Sequence, residues 1–563
     1  MVSAAPNSKK IVLYQPQQVD QSFGPRSSGD MIPLEMLQIA ARPDQEGYEI
    51  VIIDGSLYDQ EEAHRRVVEA CEGAMLYGVT GILGYMVKDG YLCSQKVRAA
   101  HPGIKIVAGG WFASVRPDLL LRTGVYDGVV VGQGERAFWE LIQATSAGES
   151  WDDLNSLALW RDGELIKNPK HPVAGFEEIL DPAWHLLDFE PYREIQQRPD
   201  SHGHILRMPA PQAMGKYAPY VGITFFSSFG CPEPCKFCCS PFVTNRRWKA
   251  MPAKRMLDNL EHLKERWDYD VVRFHDANFG VMEKRVREFS EGLIERDLGI
   301  HWNSFIETYS ILKYKPDTLD LMAASGMHLA EIGAETGTDE FMKAQIGKPI
   351  KGDQNVDATY EMEQRGIECS VTYIIGFPHE SKENMLQTLD QARRAQAVAP
   401  NSSITVWPYR PIPGTEMWDQ AVDLGFEAPE GLEHWGSLGE YHLHETWPGR
   451  IPPEVARVRK LYCHFQTLAR GLARKNDGLW EHMARWRLRS GNYTAGEVEA
   501  KLFDLYLKVY KKVLKEQDVV RTWVDPGHKT GTGANAAAEG IEQVEVISAA
   551  TAGQDYARAR IDG

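Results

Sequence analysis

Five short apolar runs between residues 10 and 135 constrain this chain more than any other feature. KIVLYQP (10–16), YEIVIID (48–54), GAMLYGVT (73–80), IKIVAGG (104–110) and YDGVVVGQGE (126–135) are nearly continuous, and each ends in or runs into Gly, Pro or Asp. A strand with one wet face alternates apolar and polar residues. A continuous run needs cover on both faces, which a parallel sheet between helices supplies. Helix-length stretches at 60–71 and 87–100 lie between the runs. Residues 1–150 therefore read as a doubly wound, Rossmann-like α/β domain, whose ligands bind at the carboxyl ends of its strands. Thr80 and Gly81, Gly109 and Gly110, and Gly132 and Gly134 fall on that edge, where glycine lets backbone approach a large ligand. The chain has neither a G-x-G-x-x-G fingerprint nor a phosphate loop, so NAD and ATP are not signalled.

Residues 151–215 read as a linker with a hairpin, because Asp162–Gly163 separates two apolar runs. Strand patterns resume over 216–425: YVGITFFSS, DVVRFHD, HWNSFIE, HLAEIGAE, CSVTYIIGFP and SITVWPYRP, with helical patterns between them. Six such units predict a partial (β/α)6 barrel with its chemistry at the strand ends. Residues 426–525 read as a mainly helical substrate or capping domain. There Thr494 and Glu497 suggest a capping box ahead of a stripe of Val498, Leu502, Leu505, Val509 and Val513. The small, polar, Gly-rich stretch 526–563 reads as a disordered tail.

The net charge of −16 argues against nucleic acid or an anionic membrane as partner, although Arg246, Arg247 and Lys249 form a local basic group. No stretch approaches the roughly 18 apolar residues of a membrane span, and MVSAAPNSKK has no apolar core of a secretory signal. A cytoplasmic location is expected, where thiols stay reduced. That bears on FGCPEPCKFCCS (229–240), which holds four of the chain's eight cysteines. Cys231, Cys235 and Cys238 are spaced C-x3-C-x2-C, and Cys239 follows as a packing residue. Structural zinc sites usually carry a second Cys or His pair. Here no such pair is signalled, though His275 or a histidine of YHLHE could complete one. Three thiolates suit a [4Fe–4S] cube that keeps one iron open. Cys71, Cys93, Cys369 and Cys463 lie within apolar segments and read as core residues.

The cysteine run, with Phe237 before its third cysteine, resembles the signature of the radical S-adenosylmethionine (radical SAM) enzymes. EIGAETGTDE (331–340), IIGFPHESKE (374–383), PYRPIPGTEMW (408–418) and VRFHDANFG (272–280) resemble motifs of that family, in its order. GIKIVAGGWFAS (103–114) and DGVVVGQGERAFWELI (127–142) resemble loops of the cobalamin-binding domain that precedes the barrel in one large branch, and DPAWHLLD (181–188) its interdomain link. The resemblance implies that Cys231, Cys235 and Cys238 hold a [4Fe–4S] cluster. It implies SAM contacts at Phe237, Asp276, Glu335 and Thr336, with Asn278 a similar candidate. It implies cobalamin contacts at Thr80, Gly81, Gly109, Gly110, Trp111, Gly132, Gly134 and Glu135. YQPQQVDQSFGPRSSG (14–29) contains no histidine, so cobalamin is expected without a protein His ligand.

By resemblance the activity is methyl transfer from SAM, through methylcobalamin, to an unactivated carbon of a small molecule. A cyclase or oxidative rearrangement that moves no methyl group is the alternative, and a zinc- or cobalamin-binding sensor a more distant one. An electron donor such as flavodoxin or ferredoxin is implied. Arg246 and Arg247 either clamp the SAM carboxylate or face solvent, the second being preferred. His442 and His444, in a Trp- and His-rich segment, read as surface residues rather than ligands.

Overall fold

The computed structural model describes residues 9–18, 31–197, 211–214, 220–438, 447–470, 478–503 and 505. His442, His444, Val509, Val513 and the tail 526–563 lie outside these. The chain forms two compact units. The first comprises Met1–Arg193, Ser228–Met251 and Pro411–Glu440; the second comprises Glu194–Ser227, Pro252–Arg410 and Tyr441–Gly563.

The first unit is built on a seven-stranded sheet. Its strands are β1 (Lys10–Gln15), β2 (Glu49–Asp54), β3 (Leu76–Thr80), β4 (Lys105–Gly109), β5 (Gly128–Val130), β6 (Leu157–Arg161) and β7 (Glu164–Lys167), in the order β2-β1-β3-β4-β5-β6-β7. The first five pair in parallel. Ile11, Leu13, Leu76, Tyr77, Ile106 and Val129 have no exposed surface, as expected for strands covered on both faces. The hairpin read as part of a linker instead extends this sheet: β6 pairs antiparallel with β5, and β7 with β6. Asp162 and Gly163 both have positive φ (50° and 83°), the geometry of the tight hairpin turn.

The second unit carries six parallel strands: β8 (Gly222–Phe225), then β11 (Val271–Phe274), β12 (His301–Phe305), β13 (Met327–Glu335), β14 (Glu368–Ile375) and β15 (Ser403–Pro408). The two-residue strands β9 (Ser228–Phe229) and β10 (Lys249–Ala250) form a separate ladder. One face of the six-stranded sheet is apolar, and Phe274 on it packs against Phe279, Phe289 and Trp302. The other face is polar. Thr224, Arg273 and Asn303 lie in register on it, as do Glu331, Ser370 and Ser403. Side chains finish both edges of the sheet. Gln196 donates to Gly222 O (3.0 Å) and accepts from Gly222 N–H (2.7 Å) beside β8. Arg459 and Tyr462 donate to Val406 O and Ile404 O (both 2.7 Å) beside β15. An edge closed in this way offers no ladder to another chain.

Helices Pro453–Ala469 and Leu479–Ser490 follow. The expected capping box does not form, since Glu497 takes the Nε–H of Arg457 (2.6 Å). Val498, Leu502 and Leu505 are exposed rather than core-facing. Among the described residues no helix is long and apolar enough to cross a membrane.

Candidate functional site

The cysteine loop leaves β8 through Ser227 and is pinned at both ends. Phe229 pairs with Lys249, and Ser228 with Ala250, in the β9–β10 ladder. Gly230 has φ of 78°, and a Cβ there would run into the carbonyl oxygen of Arg247, so only glycine fits. Cys231 and Cys235 are buried, while Cys238, Cys239 and Phe237 are part-exposed. Cys238 N–H donates to Cys235 O (3.2 Å), and Ser240 N–H points at the Cys238 sulfur (3.4 Å). An N–H aimed at sulfur is the contact by which a protein tunes a thiolate-bound cluster. Lys236 holds the loop from the other side, through Glu416 (3.1 Å) and through its carbonyl, which accepts from Met417 N–H (3.3 Å).

Among the described residues no three His, Cys, Asp or Glu side chains converge on one ion position. Zinc requires such convergence. A [4Fe–4S] cube takes each thiolate on a separate iron, and three thiols on one pinned turn fit that group.

In the strand-end loops of the second unit, two of the expected SAM contacts are buried on protein partners. Asp276 has no exposed surface, and its two oxygens accept from Ser227 N–H (2.7 Å) and Ser227 Oγ–H (2.6 Å). Arg285, also buried, donates to Ser227 O (3.0 Å) and Ser227 Oγ (2.5 Å), and its Nη2 lies 4.0 Å from Asp276. Asp276 therefore anchors the root of the cysteine loop. Thr336 is 1% exposed and turned onto Thr338 and Thr388 (3.3 and 3.1 Å).

Glu335 is different. It ends β13 with φ of 57°, a left-handed backbone that costs a non-glycine residue on the order of 1–3 kcal/mol. Its carboxylate lies over Gly333 and meets Lys348 Nζ at 2.7 Å. Glu307 approaches the same ammonium (3.0 Å). Two carboxylates thus meet one buried ammonium. Deeper on the polar face, Arg273 Nη2 donates to Glu331 (2.9 Å), both side chains being 7% exposed. Arg273 Nε and Nη1, the second Glu331 oxygen, Asn303 Oδ1 and Thr224 Oγ1 have no hydrogen-bond partner among the described residues. Burial holds the Glu331 carboxyl above its ordinary range, against the pull of Arg273.

After β14, Glu380 accepts from Gly376 N–H (2.6 Å) and Phe377 N–H (3.1 Å). Burial nevertheless pushes its carboxyl up to about 7. The folded state thus keeps a proton that the unfolded chain has already released. Stability is highest below the unfolded value and falls as pH rises toward 7. A loss of about 2 kcal/mol between pH 5 and 7.5 is expected. Urea midpoints across that range should fall less steeply in Glu380→Gln than in the native chain, the remaining slope coming from other raised carboxyls such as Glu135. Parallel slopes would refute the assignment.

The glycine edge of the first unit is tightly built. Gly110 has φ of 93°, and a Cβ there would lie 2.7 Å from Gly81 O and 2.8 Å from Thr80 Oγ1. Phe112 N–H donates to Gly81 O (3.1 Å), and Gly132 N–H to Ser114 Oγ (2.9 Å). Gly109 faces open space, with no atom within 4 Å of where a Cβ would stand. Gly81, Gly134, Trp111 and Glu135 are part-exposed on the same edge, while Thr80 is 6% exposed. Desolvation lifts the Glu135 carboxyl to about 7, against hydrogen bonds from its own N–H, Gln133 and Gly134. A small cavity opens behind the edge, lined by Thr80, Gly81, Met86, Gly109, Phe112 and Tyr126 among others. At the β1 exit, where the histidine of methionine-synthase-like domains would follow, Asp89 ties the chain down. It is fully buried and accepts from Tyr14, Gln17 N–H, Gln60 and His64 (2.6–2.9 Å). The cysteine loop adjoins this edge within the same unit: Val243 O lies 3.9 Å from the Cβ position of Gly132, and Gly414 packs on Val115.

Sequence reasoning missed Asp89, Ser227, Arg285, Lys348 and the Arg273–Glu331 pair. Only the last had a local signal, charged residues within otherwise apolar strands.

A doubly wound sheet with an open glycine edge, followed by a parallel partial barrel whose first strand leads into a three-cysteine loop, defines a two-cofactor α/β class. Residues 25–142 match the B12 binding domain model, and residues 226–392 match that of the Radical SAM superfamily. The chain is a cobalamin-dependent radical SAM enzyme, a class that works with a [4Fe–4S] cluster, SAM and cobalamin. It is 25% identical over 395 residues to an uncharacterized methyltransferase of Pyrococcus horikoshii, spanning 69% of this chain and 78% of that one. It is also 25% identical over 413 residues to the anaerobic magnesium-protoporphyrin IX monomethyl ester cyclase of Rubrivivax gelatinosus, spanning 72% and 70%. The radical S-adenosylmethionine methyltransferase TsrM of Kitasatospora setae, solved with cobalamin and [4Fe–4S] cluster bound, superposes with a TM-score of 0.60. That match covers 86% of this chain and 100% of that one at 15% identity, so it speaks to the fold.

Proposed function

We propose that the chain moves a methyl group from SAM, by way of cobalamin, to an unactivated carbon of a small molecule. The observation that carries this reading is the shared unit: the helix that follows the cysteine loop, Ser240–Thr244, lies beside Gly132 of the glycine edge. Two cofactors held there would be neighbours. When bound, the cluster and SAM supply one-electron C–H activation, and cobalamin supplies the methyl group.

The protein's part is holding and positioning. Cys231, Cys235 and Cys238 would bind the cluster, with Ser240 N–H on one sulfur. Phe237, part-exposed beside them, would lie against the SAM adenine. Glu335, fixed by Lys348, would present negative charge to a cationic end of SAM. Gly109, Gly110 and Gly132 would admit the corrin where side chains would exclude it, bordered by Thr80, Gly81, Trp111, Gly134 and Glu135. Arg273 and Glu331 would take a polar group of the substrate, since buried unpaired donors and acceptors otherwise cost on the order of 1–3 kcal/mol each.

A cyclase outcome is the second reading, favoured by the cyclase relative matching as closely as the methyltransferase one. The two separate without knowledge of the substrate. The anaerobically reconstituted protein, given SAM and a strong reductant, is expected to convert its bound cobalamin to methylcobalamin, followed by absorbance. Reductive SAM cleavage with no methylation of cobalamin would favour the cyclase reading and sink the first.

A further inference from the structure

We propose that Arg246, Arg247 and Lys249 form the docking surface for an acidic one-electron carrier protein that reduces the cluster. The inference rests on the reading of Cys231, Cys235 and Cys238 as cluster ligands. All three cations are exposed, and none forms an ion pair among the described residues. That is unusual in a chain with 78 acidic against 62 basic residues. Elsewhere on the surface, Arg65 and Arg66 pair with Glu62, Arg296 with Asp258, Arg365 with Asp320, and Arg394 with Asp353.

The three are also fixed to the cysteine loop itself. Arg246 Nε–H donates to Pro232 O (3.1 Å), between the first and second cysteines. The Arg247 carbonyl fills the space that Gly230 leaves. Lys249 pairs with Phe229 in the ladder at the loop's root. The turn that presents them is strained, because Asn245 and Arg246 both take left-handed backbone (φ 52° and 56°), at roughly 1–2 kcal/mol each. Phe242, 45% exposed, adds an apolar centre, and Lys170 lies 4.7 Å over its ring. The loop's own acid, Glu233, is buried. An apolar spot ringed by unpaired cations suits a partner with an acidic face around its redox centre, and such complementarity acts mainly on the rate of encounter.

The step balances as one electron. It leaves the carrier's reduced centre, a flavin hydroquinone becoming the semiquinone or a reduced iron–sulfur centre becoming oxidised. It enters the oxidised cluster, with no bond made between the proteins. Nucleic acid could meet the same cations, and the test includes it as an outcome.

The probe is flavodoxin hydroquinone, mixed anaerobically with the holoenzyme, with dithionite as a small donor for comparison. In Arg247→Glu/Lys249→Glu, and in each single variant, the second-order rate of reduction by flavodoxin at low salt is expected to fall, by at least about tenfold in the double. Its salt dependence should flatten. Calorimetric affinity for oxidised flavodoxin should weaken in parallel, while iron content and reduction by dithionite stay as in the native protein. An unchanged flavodoxin rate and affinity would overturn the proposal. So would equal loss with both donors, which would make the turn structural. Binding of a short RNA that the variants abolish, with flavodoxin reduction intact, would reassign the patch to nucleic acid. A native protein that holds no iron would refute the cluster reading instead, and the calorimetry would still decide docking.

Discussion

Cys235→Ala is expected to empty the cluster site. Iron per chain should fall from about four to a trace, and SAM cleavage should drop by at least about 1,000-fold. The expectation is severe because, on the proposed assignment, Cys231, Cys235 and Cys238 would be the only protein ligands of the cube. Losing one thiolate would leave two to hold it. The fold should survive. Cys235 is a small buried side chain, and removing its sulfur costs about 1 kcal/mol in packing. Circular dichroism and cobalamin affinity are therefore the controls to hold constant. Cys239→Ala, which removes the adjacent part-exposed thiol, should keep iron and cleavage. If Cys235→Ala retained full SAM cleavage, the three-cysteine site would be the wrong one.

Asp276→Ala is expected to cost about 3–5 kcal/mol of stability, the range for stripping one partner from a buried charge pair. The substitution leaves Ser227 without the acceptor for its N–H and hydroxyl, and Arg285 buried without a facing carboxylate. Burial already pulls the Arg285 guanidinium below its ordinary pKa, against the opposing pull of Asp276. Urea unfolding followed by fluorescence reads the loss, and Asp276→Asn should recover part of it by still accepting one hydrogen bond. Because Ser227 immediately precedes the cysteine loop, iron retention should drop alongside stability. A change below about 1 kcal/mol would mean that Asp276 is not the anchor described, and would return it to consideration as a ligand contact.

The strands were readable because continuous apolar runs have few alternatives in a parallel sheet; KIVLYQP and CSVTYIIGFP lie where β1 and β14 are found. The cysteine loop and the glycine edge were readable because spacing and glycine are local signals. Asp276 and Thr336 were not, since an acid or hydroxyl beyond a strand looks the same whether it faces a ligand or a neighbour. The deciding partner of Asp276 stands 49 residues earlier in the chain. Lys348 is equally silent, because its meaning comes from Glu307 and Glu335, which the fold brings to it. The DG hairpin was legible as a hairpin but not as part of the first sheet, since turn chemistry does not say which edge a strand joins.

The first compact unit draws on three separate stretches, ending at Arg193, Met251 and Glu440. Domains tend to fold from the N-terminus as they emerge from the ribosome, but this one stays incomplete until about residue 440 has been made. Until then the first unit lacks its last segment, Pro411–Glu440. Cutting the gene at the end of the B12-binding match would strip the first unit of Ser228–Met251 and Pro411–Glu440, while every segment of the second would stay on one piece. Recombination could therefore move the first unit whole only together with the second.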